Sequence, residues 1–167
     1  MPQTRADLYG VELVDFDSVL TQSDIISVHM PATVETTHIF NDEAFNKMKN
    51  SAILINCARG PIIDETALQK SLETEEIAHA GIDVTEVEPI SEESPLLNLS
   101  NLKITPHFAG ASQATAGEGS RRWGENAVNV LTGKRLHVLD NPDVLKTIAV
   151  MRERGPNRWD GIPDPRF

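Results

Sequence analysis

Arg59, Glu88 and His107 each lie just after a short apolar run, and their types suit one another chemically. The runs at 52–56, 77–84 and 102–105 are short and rich in Ile, Leu, Val and Ala, as buried strands are. If those strands are parallel, the three polar residues lie near one edge, the carboxyl edge where open α/β sheets bind ligands. A guanidinium can grip a carboxylate or a ketone oxygen with two parallel hydrogen bonds. An imidazole can give or take a proton near neutral pH, and a carboxylate beside it favours the protonated form. Each residue also has a plainer reading. Arg59 could be solvated rim, Glu88 belongs to an acidic loop with Glu86, Glu92 and Glu93, and His107 sits between Pro106 and Phe108 as packed or surface histidines do. Their joint order speaks for chemistry. The small residues Ala109, Gly110 and Ala111 after His107 let backbone approach a bulky ligand.

The elements that must hold these residues alternate in type. Residues 15–22 read as a short helix with Phe16, Val19 and Leu20 on one face, followed by a strand at 24–30 that stops at Pro31. Residues 41–49 read as a helix with Phe45 and Met48 inward and Lys47 and Lys49 in its last turn. Asp64 can cap a helix through Leu72, and another helix spans about 112–131. Strands alternating with helices predict parallel βαβ units, with the sheet covered on both faces. Residues 1–10 are polar without a period and read as irregular. From Arg152 onward the pattern dissolves into an extended tail, whose Trp159 and Phe167 could dock on a surface.

The 167 residues suffice for one domain with a real core. A net charge of −10 argues against nucleic acid and anionic membrane as partners. No apolar stretch approaches the roughly 20 residues that span a bilayer, and no secretory signal pattern opens the chain, so cytoplasm is expected. The single cysteine, Cys57, forms no internal disulfide and suits a reducing compartment. No Cys/His cluster has zinc spacing, so no metal is expected.

The chain resembles the D-isomer-specific 2-hydroxyacid dehydrogenases, which include phosphoglycerate dehydrogenases and glyoxylate/hydroxypyruvate reductases. The likeness runs over about 10–133. It rests on Ser23-Asp24-Ile25-Ile26-Ser27-Val28-His29-Met30-Pro31, Thr36-Thr37, Ile53-Leu54-Ile55-Asn56-Cys57-Ala58-Arg59-Gly60 and Asp64-Glu65-Thr66-Ala67-Leu68. It continues through Gly81-Ile82-Asp83-Val84, Glu86-Val87-Glu88-Pro89, Thr105-Pro106-His107-Phe108-Ala109-Gly110 and Glu125-Asn126. The resemblance implies an oxidoreductase that moves a hydride between NAD and a small D-2-hydroxy or 2-keto acid. By position, Arg59 binds the substrate carboxylate and carbonyl oxygen, His107 is the proton donor or acceptor, and Glu88 is its partner. Asp83 matches the aspartate that bonds the nicotinamide carboxamide, near the Cys57 and Ala58 backbone. Met30, Pro31 and Thr36 match the adenosine and ribose side, and Arg59, His107, Ala109 and Gly110 complete the cofactor-facing set. NAD is favoured over NADP by family habit alone.

Family chains enter this domain through Gly-x-Gly-x-x-Gly, whose backbone N–H groups cradle the pyrophosphate. No such pattern precedes Gly10 or opens a strand-to-helix turn. The expected fold is therefore α/β, an incomplete Rossmann-like parallel sheet with flanking helices that lacks the glycine-rich first βαβ unit. Its expected divisions are an irregular segment 1–10, the second half of an NAD-binding domain at 11–133, and an extension and tail at 134–167. The strand at 24–30 is then left with an open edge, and turnover by this polypeptide alone is expected to be weak or absent. Two further readings are a cofactor-sensing binding module of the corepressor type and a fragment without independent function. Glu88 favours a hydroxyacid substrate, because formate dehydrogenases place Gln there. A homodimer is the family's usual assembly.

Overall fold

The structure, a computed structural model, describes residues 3–134, 143–156 and 161. It divides into two compact units, Met1–Ala109 and Gly110–Phe167. The first unit is built on four parallel strands in spatial order β1 (Ile25–Val28), β2 (Ile53–Asn56), β3 (His79–Ile82) and β4 (Leu102–Ile104). Helices α1 (Gln3–Tyr9) and α2 (Phe16–Gln22) precede the sheet, α3 (Asp42–Lys47) joins β1 to β2, and α4 (Glu65–Glu73) joins β2 to β3. Single 3-10 turns stand at Gly60–Ile62 and Pro95–Asn98.

Alternation along the strands directs one face to the core. Ile26, Val28, Leu54, Ala80, Ile82 and Leu102 are buried, and they pack in one cluster with Leu20 of α2, Phe45 of α3, and Leu68 and Leu72 of α4. Phe40 anchors this layer, edge-on to Phe16 with ring centroids 5.4 Å apart. The helices start where short polar side chains cap them. Asp15 accepts from Ser18 N at 2.7 Å, Asn41 from Ala44 N at 3.1 Å, and Asp64 from Thr66 N and Ala67 N.

Two expectations require correction. The sheet is not covered on both faces among the described residues of this unit. On the second face Ile25 is 64% exposed, Ile53 and Ile55 are half-buried, and Ser27, His79 and Lys103 are exposed. The segment 1–10 is not irregular either, since α1 occupies most of it. Gln3 donates to Asp7 at 2.8 Å one turn away, Ala6 is fully buried, and Gly10 ends the turn at φ +64°. Leu8 and Tyr9 remain exposed, so this helix carries no apolar stripe for a periodicity argument to find.

In the second unit α5 (Gln113–Thr132) starts at Ser112, whose hydroxyl accepts from Thr115 N at 3.1 Å. It ends at Gly133 in the left-handed conformation, φ +64°. Among the described residues, nothing lies within 4 Å of where a Cβ on Gly117, Gly119 or Gly124 would sit. A further helix, α6 (Val144–Glu153), lies within the segment expected to be extension and tail. Val144, Ile148 and Met151 recur at helical spacing, and Ile148 is buried. Trp159 and Phe167 lie outside the described residues.

Candidate active site

The sheet's register aligns the strand ends. Val28 pairs with Asn56, Asn56 with Ile82, and Ile82 with Ile104, so these four stand in one row. Immediately beyond that row come His29 to Pro31, Cys57 to Arg59, Asp83 to Glu88 and Thr105 to Ala109. The candidate residues of the first unit thus gather at one edge, apart from Thr36, which sits in the loop after β1. Two cavities open there. One of about 550 Å³ is lined by His29, Met30, Pro31, Ala32, Cys57, Ala58 and Arg59. The other, of about 510 Å³, has Asp83, Glu88 and His107 beside the apolar Ile90, Leu97 and Ile104. Both volumes fall in the range of small-molecule sites.

His107 Nδ1 lies 2.9 Å from Glu88 Oε2. The other Glu88 oxygen accepts from Thr85 N at 3.2 Å. The hydrogen bond from His107, that from Thr85 and the charge of Arg59 together hold the Glu88 carboxyl below its ordinary range. An ionised Glu88 is an acceptor only, so Nδ1 carries the proton of this bond. Nε2 has no hydrogen-bond partner among the described residues and remains available to a ligand. His107 itself is left-handed, φ +59°, with its N–H turned back to Thr105 O at 3.0 Å. Non-glycine residues are rare in that region and cluster where surrounding structure forces them.

The force comes from Asp83, which is 4% exposed. Its Oδ1 accepts from the Thr105 hydroxyl and from Phe108 N, and its Oδ2 from Ala109 N at 2.7 Å. These donors keep the Asp83 carboxyl low, the Thr105 hydroxyl most of all. Asp83 therefore fastens the turn that presents His107. A carboxylate offers about four lone-pair sites, so one on Oδ2 is left for a further donor.

Asn56 does the same for Arg59. It is fully buried at an inward strand position where an apolar residue is expected. Its amide donates to Arg59 O and accepts from Ala58 N, both at 2.9 Å. Arg59 is exposed, and its Nη1 donates to Ala58 O at 2.6 Å. Thr36 closes its loop by donating to Pro31 O at 2.7 Å and accepting from Thr33 N at 2.8 Å. Met30 is half-buried against the core, and Gly110 opens the second unit.

The sequence reading gave no role at this edge to Asn56, Gly60, Thr85 or Thr105, although three of them stand in its motifs. A buried-side amide in an apolar strand was the one readable signal among them. One consequence follows for acid stability. Because the folded carboxyl of Glu88 titrates lower than a free one, the Glu88–His107 contact contributes fully above the ordinary value of 4.5 and is lost as pH falls through the depressed one. A carbon-13 titration of the Glu88 side chain is expected to give a midpoint below 4.5, and His107→Ala should move it upward.

A sequence profile described as "D-isomer specific 2-hydroxyacid dehydrogenase, NAD binding domain" matches residues 1–109. A glyoxylate reductase of Korarchaeum cryptofilum is 41% identical over 137 residues, 82% of this chain and 41% of that protein. Glyoxylate/hydroxypyruvate reductase B of Salmonella paratyphi B is 41% identical over 132 residues, 79% of this chain and 41% of its own length. Among solved structures, D-lactate dehydrogenase with NAD+ from Lactobacillus jensenii superposes with a TM-score of 0.76 at 30% identity, over 84% of this chain and 46% of that one. The chain thus spans about two fifths of the curated relatives it matches. Among the described residues, no helix is long and apolar enough to cross a membrane. With its parallel sheet, its aligned strand ends and its matched profile, the chain belongs to the D-isomer-specific 2-hydroxyacid dehydrogenase family, in its NAD-binding domain.

Proposed function

We propose that this edge is the acid–base and anion-binding half of a site that interconverts a small 2-keto acid and its D-2-hydroxy acid with NAD. The carrying observation is the His107–Glu88 contact at 2.9 Å, which uses Nδ1 and leaves Nε2 for substrate. In the reducing direction the hydride for the carbonyl carbon would come from NADH when it is bound. His107 Nε2 then gives its proton to the carbonyl oxygen, and Glu88 stabilises the imidazolium beforehand and keeps the ring oriented. Arg59 holds the carboxylate and the carbonyl oxygen, for which its fork is geometrically suited. In the oxidising direction His107 Nε2 takes the hydroxyl proton.

The residues fit the nicotinamide end of the cofactor. The spare lone pair on Asp83 Oδ2 can accept from a carboxamide, and the cavity at Met30, Pro31, Cys57 and Ala58 can take the adenosine and ribose side together with Thr36. No Gly-x-Gly-x-x-Gly turn occurs in these 167 residues, so their turnover alone is expected to be weak. We assign the extension 134–167 no part in this chemistry, and take the assembly to be a homodimer in the cytoplasm.

Steady-state reduction of glyoxylate and hydroxypyruvate with NADH tests the reading. Arg59→Ala is expected to raise KM for the keto acid by about 10- to 100-fold, the worth of a charge-assisted contact. An unchanged KM contradicts the role given to Arg59.

A further inference from the structure

Glu65 and Glu86 lie 21 residues apart in the sequence and are joined by crossed hydrogen bonds. Glu65 N donates to Glu86 Oε1 at 2.8 Å, and Glu86 N donates to Glu65 Oε1 at 2.6 Å. His38 Nε2 stands 3.3 Å from the same Glu86 oxygen, and its own N–H donates to Pro61 O at 2.9 Å. The start of α4 does not need the Glu65 side chain as a cap, since Asp64 already accepts from Thr66 N and Ala67 N. Instead that side chain reaches across to the loop after β3. Burial, with the charge of Glu86 adding to it, raises the Glu65 carboxyl above its usual range. Two carboxylates are thus held together against their preference at this one joint.

What the joint holds is the peptide between Thr85 and Glu86. Gly60, next to Arg59, packs on that same peptide so closely that a Cβ there would lie 1.9 Å from Thr85 O and 2.6 Å from Glu86 N. One peptide earlier, Thr85 N donates to Glu88 at 3.2 Å. The backbone of Thr85 and Glu86 therefore touches the Arg59 turn, the α4 start and the Glu88 carboxylate within two successive peptides. We propose that Glu65 and Glu86 are positioning residues, whose crossed bonds set the Glu88 loop against the Arg59 turn and so aim Glu88 at His107. The inference rests on the active-site reading given above, and neither glutamate touches substrate.

Nuclear magnetic resonance on the full 167-residue chain tests it without turnover. Two signals are read, the carbon-13 titration of Glu88 and the nitrogen-15 shift that reports a proton on His107 Nδ1. Glu65→Ala is expected to move the Glu88 midpoint upward towards 4.5 and to weaken the Nδ1 signature, whereas Glu65→Gln, which keeps an acceptor oxygen, restores both. If Glu65→Ala does not fold, Glu65→Asp, too short to reach Glu86 N, is read the same way. A folded Glu65→Ala or Glu65→Asp chain with both signals unchanged overturns the proposal, and so does failure of Glu65→Gln to restore them. Glu88→Ala, which removes the acceptor facing Nδ1, separates the two claims. If it leaves the Nδ1 signature unchanged, the active-site reading itself fails. If it removes the signature while loss of the Glu65 contact does not, only the positioning role fails.

Discussion

Replacing Gly60 with alanine is expected to lower the melting temperature by about 10 °C, from a strain of about 3 kcal/mol in a unit of this size. The cause is steric. Gly60 does not have a positive φ, so conformational freedom is not what it contributes. Its Cα lies against the Thr85–Glu86 backbone, and a methyl group there would sit 1.9 Å from Thr85 O and 2.1 Å from Thr85 C. Backbone atoms cannot rotate aside as a side-chain tip can, so the 3-10 turn and the Glu88 loop must separate. Because Arg59 precedes that turn, the change should also weaken binding of a 2-keto acid. Gly81→Ala is the natural control, since its methyl group meets only the tip of Ile55 at 3.3 Å. It is expected to melt within about 3 °C of the unaltered chain. Thermal unfolding followed by circular dichroism decides the matter, and a Gly60→Ala melt as mild as that of Gly81→Ala contradicts the close approach.

The second large effect is on catalysis. His107→Ala is expected to reduce turnover of glyoxylate with NADH by about 10³-fold, within the range that a positioned general acid supplies. The KM should change little, because the proton transfer belongs to the transition state. Glu88→Gln should cost less, since the imidazole stays in place and only its partner's charge is lost. Glu88→Ala, which also removes the acceptor facing Nδ1, is expected to cost more than Glu88→Gln. Initial rates at one pH, measured side by side for all variants, distinguish these outcomes. A loss for Glu88→Ala no larger than that for Glu88→Gln contradicts the part given to Glu88 in orienting the ring.

Much of the frame was legible because it rests on short-range signals. The apolar runs at 52–56, 77–84 and 102–105 contain the strands, and Asp15, Asn41, Asp64 and Ser112 marked helix starts where their side chains do cap backbone N–H groups. The gathering of Arg59, Glu88 and His107 followed from parallel order, which the register bears out. What escaped depends on contacts between distant segments or on weak periodicity. The α1 helix buries only Ala6, so its pattern reads as polar, and α6 follows a stretch without clear punctuation. Ile25, Ile53 and Ile55 are as apolar as their inward neighbours, so composition could not show that one face lacks a cover in this unit. Gly60 against Thr85, and Glu65 against Glu86, join residues 21 or more positions apart. No local rule pairs them. Asp83 shows a further gap, because the resemblance implied only a ligand contact and gave no sign that its carboxylate also fastens the His107 turn.

The central claim is that the carboxyl edge of this sheet receives the cofactor and a small keto acid. Mapping amide shifts of the chain while NADH and then oxamate, a 2-keto acid mimic, are added tests it most directly. The account predicts that NADH shifts concentrate at Met30, Ala58, Asp83 and Ala109, and that oxamate adds changes at Arg59 and His107. Shifts concentrated instead at the opposite strand ends, around His79 and Asn101, contradict it, as does a spectrum unmoved by millimolar NADH.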